Sequence, residues 1–487
     1  MTLTHILVFA LVSLVVGWAV PSRWRGWVLL GASLLAVYWL QPSTPIRYLD
    51  FWFPTASILL TVITWAATRT PQAQPSRRGM VGAALVVGLI LVVALLRYAG
   101  PACCLTPSRP PDIWRVLGVF AMAALLVAIP IRFPVSKRFL VPAIIFLILG
   151  LFIMLKSPAI SRWASEWLRV SGGQSALLAA ASDLPWLGFS YLAFRLLHVL
   201  RDYQGGKLPA YDFGEFVTYA IFYPSYTAGP IDRSQRFIGD LRSATPGKIS
   251  EALKPVNDPA RQEQFVQGGT RILVGLFKKF VVADGLALIA LNSQNAVQVT
   301  STLWMWVLLY AYALRIYFDF AGYTDIALGL ARWVGIRLPE NFDRPYLKQN
   351  LTAFWNSWHM TLAQWFRAYF FNPFTRYLRS RRLNIPTWVI IFIGQLSTML
   401  LIGLWHGITW NYAAWGAWHG VGLFMHNRWS DWTRSRLSGI VERPQLRKVM
   451  AFGGWLLTFN YIALGWVFFA LPSLELALDV FKSLFGI

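Results

Sequence analysis

Two of the six histidines in this chain lie in mostly apolar stretches that are rich in tryptophan. His359 belongs to residues 354–362, FWNSWHMTL, and His406 belongs to residues 404–410, LWHGITW. An ionisable side chain is costly at membrane depth, so an intramembrane histidine is a functional-site hypothesis. A neutral imidazole can take a proton from an alcohol as the oxygen attacks a carbonyl, and then return it to the leaving group. The alternative is that each ring only stacks on tryptophan and hydrogen-bonds a carbonyl.

Other kinds of catalytic site have no signature in the sequence. There is no Gly-x-Ser-x-Gly elbow, no Ser-x-x-Lys pair and no His-Glu-x-x-His metal spacing. The only two cysteines, Cys103 and Cys104, lack the basic or histidine neighbour that a nucleophilic thiol needs. Direct transfer with a histidine base, without a metal or a bound cofactor, is the simplest chemistry these residues permit. The remaining histidines lack polar neighbours in the sequence or are expected to pack: His5, His198, His419 and His426.

Charged residues inside apolar runs are further candidates for substrate binding. Lys278 and Lys279 lie within residues 275–284, where they either reach lipid headgroups or hold an anionic donor group. Asp319 and Asp325 follow at the end of a later apolar run. A buried carboxylate in that position needs a partner, whereas an exposed one does not.

The residues next to the two histidines complete the predicted site. A helix over residues 351–370 would put Trp355, Trp358, His359 and Leu362 on one face, since positions i, i+3, i+4 and i+7 share a face. Asn356 would then reach the His359 ring. Trp358 and Trp405 are predicted to line the binding site.

The elements that must position these residues are membrane helices. The chain is 56% hydrophobic and 13% charged, against about 25% charged in soluble globular proteins. We therefore predict an all-α, polytopic integral membrane protein. Its net charge of +23 is spread over connecting loops, which favours anionic lipid headgroups of the bilayer as partners and argues against nucleic acid.

Apolar runs recur along the whole chain. With the shorter and less regular runs, they predict about ten to thirteen helical crossings plus re-entrant segments. The clear runs are 5–20, 27–40, 51–67, 80–96, 114–131, 139–155, 303–318, 387–404 and 452–471. The less certain runs are 187–200, 213–228, 270–291, 327–334, 363–374 and 408–424.

The chain changes character near residue 170. Residues 1–170 are predicted to be N-terminal transmembrane helices, residues 171–430 a catalytic core, and residues 431–487 a C-terminal loop and one or more transmembrane helices. Polar motifs crowd into the apolar segments only after residue 170. The stretch 232–264 is predicted to be a surface loop, with short interfacial helices at 249–253 and 259–265.

From about residue 184 to residue 423 the chain resembles the membrane-bound O-acyltransferases. Residues 354–362, followed by Trp-Phe-Arg, look like the family's first histidine motif, and residues 404–420 look like its second. His359 and His406 are 47 positions apart, a separation similar to that in bacterial members. The resemblance implies that His406 is the catalytic histidine and that His359 is the second motif histidine. It also implies a fold around a central tunnel, where a cytoplasmic thioester donor meets an acceptor from the opposite side.

Two bacterial branches of the family are resembled. Residues 229–233 and 358–362 look like the protein that exports D-alanine onto teichoic acids. Residues 275–284 and 319–325, with the Pro-Glu-Asn-Phe at 339–342, look more like the alginate O-acetylation protein. The chain departs from both branches at Ala368, where an acid usually follows Trp-Phe-Arg.

The resemblance implies an acyltransferase of the bacterial cell membrane. The expected reaction moves a small acyl group, acetyl in preference to D-alanyl, from acyl-CoA or an acyl carrier protein. The acceptor is a hydroxyl of an extracytoplasmic cell-envelope polysaccharide or of an accessory extracytoplasmic acyltransferase. His406 is the expected base, His359 with Asn356 positions a substrate, and Lys278 with Lys279 meets the anionic donor. The alternatives are D-alanyl transfer, long-chain transfer to a lipid, and a transporter or scaffold with structural histidines.

Overall fold

The fold is built from α-helices. The computed structural model of the 487-residue chain describes residues 2–69, 76–100, 105–133, 137–245, 259–381, 385–436 and 444–487. These residues contain no β-strand, so the predicted all-α class is confirmed. Cys103, Cys104 and the predicted helix at 249–253 lie outside the described residues.

By its internal contacts the chain divides into two compact units. The first unit comprises residues 1–273 and 325–339, and the second comprises residues 274–324 and 340–487. This division differs from the boundaries at residues 170 and 430, which stay predictions.

The first unit contains most of the apolar helices. Their bounds are α1 Leu3–Trp18, α2 Ser22–Trp39, α3 Leu49–Thr68, α4 Arg77–Leu95, α5 Ile113–Arg132, α6 Lys137–Lys156, α7 Pro158–Ser171, α8 Phe189–Gln204, α9 Phe213–Ile221 and α10 Ser234–Ala244. Two longer helices contain residues of both units: α11 Pro259–Leu276 and α14 Thr302–Trp333. The predicted loop 232–264 is wrong where α10 occupies it. The helix predicted at 259–265 is present as the start of α11, which continues to Leu276.

The second unit holds both histidine motifs. Its other elements are a π-helix Phe277–Ala283, α12 Asp284–Ala287, α13 Asn295–Gln298, α15 Leu351–Trp355, α16 Met360–Phe366, a π-helix Arg367–Phe371, α17 Asn372–Ser380, α18 Thr387–His406, α19 Trp410–Arg436, α20 Pro444–Ala470 and α21 Leu474–Phe485.

Five helices of the described residues are long and apolar enough to cross a membrane: Leu49–Thr68, Arg77–Tyr98, Lys137–Lys156, Thr387–His406 and Pro444–Ala470. Two shorter apolar helices are Leu3–Trp18 and Ile113–Ala128. The chain is a multi-pass membrane protein, and the count of ten to thirteen crossings stays a prediction.

Threonine hydroxyls in α3 donate hydrogen bonds to backbone carbonyl oxygens of the same helix. Thr61 and Thr64 donate to the carbonyl oxygens of Ser57 and Leu60, each at 2.8 Å. This bonding to the preceding turn lets a helix carry buried hydroxyl groups in apolar surroundings. Polar side chains in this span are therefore compatible with burial, and two-thirds of its most apolar window is buried.

An ion pair closes the loop after α7. The guanidinium of Arg169 and the carboxylate of Asp183 are 2.9 Å apart, and both side chains are buried. Ser165 donates a further hydrogen bond of 2.6 Å to the same carboxylate. Burial raises the pKa of Asp183, but the hydrogen bonds from Arg169 and Ser165 outweigh it, so this pKa lies below its ordinary value.

Glycines bring α18 and α19 into backbone contact. A Cβ atom on Gly403 would lie 2.2 Å from the carbonyl oxygen of Tyr412, and one on Gly416 would lie 2.5 Å from that of Met399. Only glycine permits such an approach, and small residues serve this purpose between membrane helices. The contact holds the end of α18, where His406 lies, against the first turns of α19.

Candidate active site

His359 lies in a turn between two short helices. α15 ends at Trp355 and α16 begins at Met360, so a single helix over residues 351–370 does not form and the chain is interrupted at residues 356–359. His359 itself has φ +40° and ψ +52°, in the left-handed region. A side chain in that region costs about 1–2 kcal/mol. Such a backbone persists only where neighbouring contacts hold it, and such residues concentrate at functional sites.

Asn341 holds this turn from a distant part of the sequence. Its carbonyl oxygen accepts the N–H of Met360 at 2.9 Å. Its side-chain oxygen accepts the Thr361 hydroxyl at 2.6 Å and lies 3.4 Å from Nδ1 of His359. Asn341 is 0% exposed. It belongs to the Pro-Glu-Asn-Phe segment, which the sequence analysis noted only for its resemblance.

The predicted neighbour of His359 points elsewhere. Asn356 is exposed, and its side-chain oxygen accepts a 2.7 Å hydrogen bond from Arg367. His359 is buried at 3% exposure. Asn341 therefore takes the place beside the His359 ring that was predicted for Asn356, because the turn removes the helical spacing on which that prediction depended.

Trp405 packs against both motif histidines. Its ring centroid is 6.1 Å from that of His359 and 4.5 Å from that of His406. The structure thus brings together the two histidines that are 47 positions apart in the sequence. The predicted role of Trp405 in lining the binding site stays a prediction.

His406 is the last residue of α18 and is only half-buried. Aromatic rings surround it: Phe469 at 4.7 Å, Trp415 at 5.7 Å and Tyr412 at 5.8 Å between centroids. Gly407 follows, and a Cβ atom there would lie 2.8 Å from the Tyr412 ring. The chain can turn directly after His406 because this position has no side chain.

Trp358 lies deep in an aromatic cluster. It stacks on Phe354 at 5.5 Å and contacts Phe342 and Trp466, each at 5.2 Å between ring centroids. Only 5% of it is exposed. These contacts describe a packing position, and its role in binding a substrate stays a prediction.

The predicted charged residues form two ion pairs, one in each unit. In the second unit, Lys279 donates to Asp319, whose side chain is 50% exposed. In the first unit, Arg271 donates to Asp325, whose side chain is 6% exposed. The partner that a buried carboxylate needs is therefore present for Asp325. Binding roles for these residues and for Lys278 stay predictions.

A model of the membrane-bound O-acyltransferase family matches residues 175–464, which include both histidine motifs and the Asn341 turn. The chain belongs to this family. It is an acyltransferase of the membrane, and the predicted family is confirmed.

Curated relatives of this acyltransferase act on different acyl groups. A teichoic acid D-alanyltransferase of Streptococcus thermophilus is 31% identical over 59% of this chain and 69% of its own length. The "Probable alginate O-acetylase AlgI" of Pseudomonas aeruginosa is 31% identical over 62% of this chain and 51% of its own length. A peptidoglycan O-acetyltransferase of Helicobacter pylori is 31% identical over 57% of this chain and 48% of its own length. The match thus spans about half the length of these two O-acetyl relatives.

A polar cluster in the first unit of the acyltransferase was missed in the sequence. His198, expected to lack polar neighbours, is buried with its Nε2 3.3 Å from the Tyr219 hydroxyl and 3.4 Å from the N–H of Ser234. Asp232 is close to Ser234 in the sequence, and its carboxylate lies 2.7 Å from the guanidinium of Arg236. The spacing of Asp232 and Arg236, four apart, was a usable signal for a helical ion pair.

Proposed function

We propose that this acyltransferase moves an acetyl group from a thioester donor to a hydroxyl of a cell-envelope polysaccharide, with His406 as the general base. The observation that carries the proposal is the contrast in burial along the aromatic cluster. His406 is half-buried at the end of a helix, whereas His359 is fully buried. A base must reach the proton that it removes, and His406 is the more accessible of the two motif histidines.

The proposed reaction needs one proton acceptor and no metal. The acceptor hydroxyl donates its proton to neutral His406 as its oxygen attacks the thioester carbonyl carbon. The tetrahedral intermediate then collapses, the carbon–sulfur bond breaks, and the proton passes from the imidazolium to the departing sulfur. A thiolate leaves readily, so little further assistance is required. His359, set in its turn by Asn341, would position a substrate through the shared Trp405 contact.

Acetyl is proposed over D-alanyl because of charge. The rings around His406 are Trp405, Tyr412, Trp415 and Phe469. A D-alanyl group carries an ammonium, and taking a charge out of water is costly unless a partner compensates it. An acetyl group carries no charge. A D-alanyltransferase and an O-acetylase are each 31% identical to this chain, so the relatives do not choose between the two groups, and D-alanyl transfer is the alternative.

The donor is proposed to be acyl-CoA or an acyl carrier protein on the cytoplasmic side of the cell membrane. Both donors are anionic. Lys279 pairs with Asp319, whose side chain is 50% exposed. An anionic donor group could therefore compete with Asp319 for Lys279, and the neighbouring Lys278 would add a second positive charge. The acceptor is an extracytoplasmic polysaccharide or an accessory acyltransferase that passes the group on.

His406→Ala tests the proposal. The variant should insert into the membrane at normal levels and lose all acyl transfer to surface polysaccharide, measured by mass spectrometry of the released acyl groups. The matched control is His5→Ala, since His5 lies in the first unit, where its ring contacts Thr2 and Trp39. Undiminished acylation in His406→Ala would refute the proposed base. Transport that persists without any acyl donor would favour a transporter instead.

A further inference from the structure

A third histidine is buried beside the proposed base. His419 is 1% exposed and lies on α19. Its ring contacts Trp415 at 4.8 Å and Trp355 at 5.3 Å between centroids. Trp415 also contacts His406 at 5.7 Å. One indole thus separates His419 from His406.

The side-chain nitrogens of His419, Trp355 and Trp415 are buried and form no hydrogen bond within the part of the chain that the structure describes. Among the residues the structure describes, neither ring nitrogen of His419 has a hydrogen-bond partner, and neither do the indole N–H groups of Trp355 and Trp415. Buried polar groups are nearly always partnered, and each orphan costs about 1–3 kcal/mol. Three such side chains from α15 and α19 lie in mutual ring contact. Their polar complement is best supplied by a ligand.

The donor and acceptor inventory describes that ligand. Two indoles donate only, and a neutral imidazole donates at one nitrogen and accepts at the other. A secondary amide complements three of these four atoms. Its carbonyl oxygen accepts the two indole N–H groups and its own N–H donates to the acceptor nitrogen of the imidazole.

We propose that His419, Trp355 and Trp415 form a subsite for an amide of the donor's pantetheine arm. The inference rests on the proposed thioester transfer at His406. Both CoA and carrier proteins carry this arm, and only two methylenes separate the thioester sulfur from the nearest amide. A thioester held at His406 would therefore place that amide about one indole width away, on the His419 side of Trp415.

Gly465 packs closely against the edge of the His419 ring. A Cβ atom at this position would lie 2.9 Å from Nε2 of His419. Gly465→Ala therefore keeps every polar group of the subsite and places a methyl group against the nitrogen that a ligand would reach. This variant is useful because it does not remove a buried aromatic ring.

The test compares two small thioesters with wild-type and variant enzyme. S-acetyl-N-acetylcysteamine carries the amide, and S-propyl thioacetate lacks it. Wild-type enzyme should prefer the amide-bearing thioester in kcat/KM by about 10-fold, as for one buried hydrogen-bonded group. His419→Phe, Trp415→Phe and Gly465→Ala should each bring this ratio close to one, and His419→Gln should restore part of it. Acetyl-CoA and an acetylated carrier protein, compared in the same variants, then show which source supplies the arm.

Trp418→Phe is the matched control. Trp418 neighbours His419, but its indole N–H already donates to the Tyr461 carbonyl oxygen at 3.0 Å, so the ratio should be unchanged. If the variants slow both thioesters equally and keep the wild-type ratio, the cluster holds only a structural water and the subsite is refuted. If wild-type enzyme transfers acetyl from no thioester at all, the proposed function fails instead.

Discussion

Replacing Asn341 with alanine removes the side chain that holds the His359 turn. Its oxygen accepts the Thr361 hydroxyl at 2.6 Å in a fully buried position. Loss of a buried acceptor costs about 1–3 kcal/mol. The backbone bond from Met360 to the carbonyl oxygen of residue 341 remains, so the turn is weakened rather than abolished. We expect the free energy of unfolding to fall by about 1–3 kcal/mol.

The effect on the reaction should exceed the effect on folding. His359 keeps its left-handed backbone only under restraint, and a misplacement of about 1 Å in a positioned group can cost 100-fold in rate. We expect kcat per folded molecule to fall by up to about 100-fold. Asn341→Asp retains an acceptor oxygen at the same place and should recover part of the rate.

The assay measures acetyl transfer in proteoliposomes and thermal unfolding in detergent on the same preparations. Asn460→Ala is the matched control, because Asn460 also accepts a 2.6 Å hydrogen bond, from the Tyr310 hydroxyl. It should lose comparable stability and keep its rate per folded molecule. If Asn341→Ala keeps the wild-type kcat as well, His359 does not depend on Asn341 and the reasoning is refuted.

Four further substitutions test the packing and the charges. Gly416→Ala places a methyl group 2.5 Å from the carbonyl oxygen of Met399 and should lower the free energy of unfolding by about 1–3 kcal/mol. Gly453→Ala is the control, because its Cβ atom would have nothing within 4 Å; its thermal unfolding should be unchanged or shifted to higher temperature. Arg271→Met removes the guanidinium that pairs with the buried Asp325 carboxylate. It should lower the free energy of unfolding by roughly 2 kcal/mol, below the roughly 3–5 kcal/mol of a fully buried pair, because the Arg271 side chain is 38% exposed. The pKa of Asp183 is lower in the folded state than in the unfolded state. The stability that its carboxylate contributes is therefore present above the unfolded-state pKa of about 4 and is lost as the pH falls through the folded-state pKa. Asp183→Asn and wild type should converge in unfolding free energy at acid pH. The free energy of unfolding of His359→Gly should be about 1–2 kcal/mol higher than that of His359→Ala, since only glycine adopts the positive φ without strain. Equal stability of the two variants would show that the turn is not strained.

Composition and hydrophobic run length were sufficient to predict the fold class and the main spans. The run 387–404 was predicted from sequence, and the structure has a helix over Thr387–His406. The apolar run 51–67 likewise lies within Leu49–Thr68. These predictions succeed because crossing a bilayer requires long apolar helices whatever the neighbouring segments do.

The site was predicted less completely, since its contacts join distant segments. Helical spacing favoured Asn356 as the neighbour of His359, but the chain leaves the helix before His359 and Asn341 lies there instead. Nothing local in residues 351–370 marks that turn. His198 was missed for the same reason, because its neighbours Tyr219 and Ser234 come from other elements.

Burial separates the proposed roles of three of the four histidines in the second unit. His359 and His419 are 3% and 1% exposed, so neither can readily exchange a proton with water, and each is suited to hold a group in place. His406 is half-buried and is the last residue of its helix, directly before Gly407. A base must both receive a proton and release it within one turnover. Trp405 contacts both His359 and His406, and Trp415 contacts both His406 and His419. Each of the two proposed positioning residues is therefore one indole away from the proposed base.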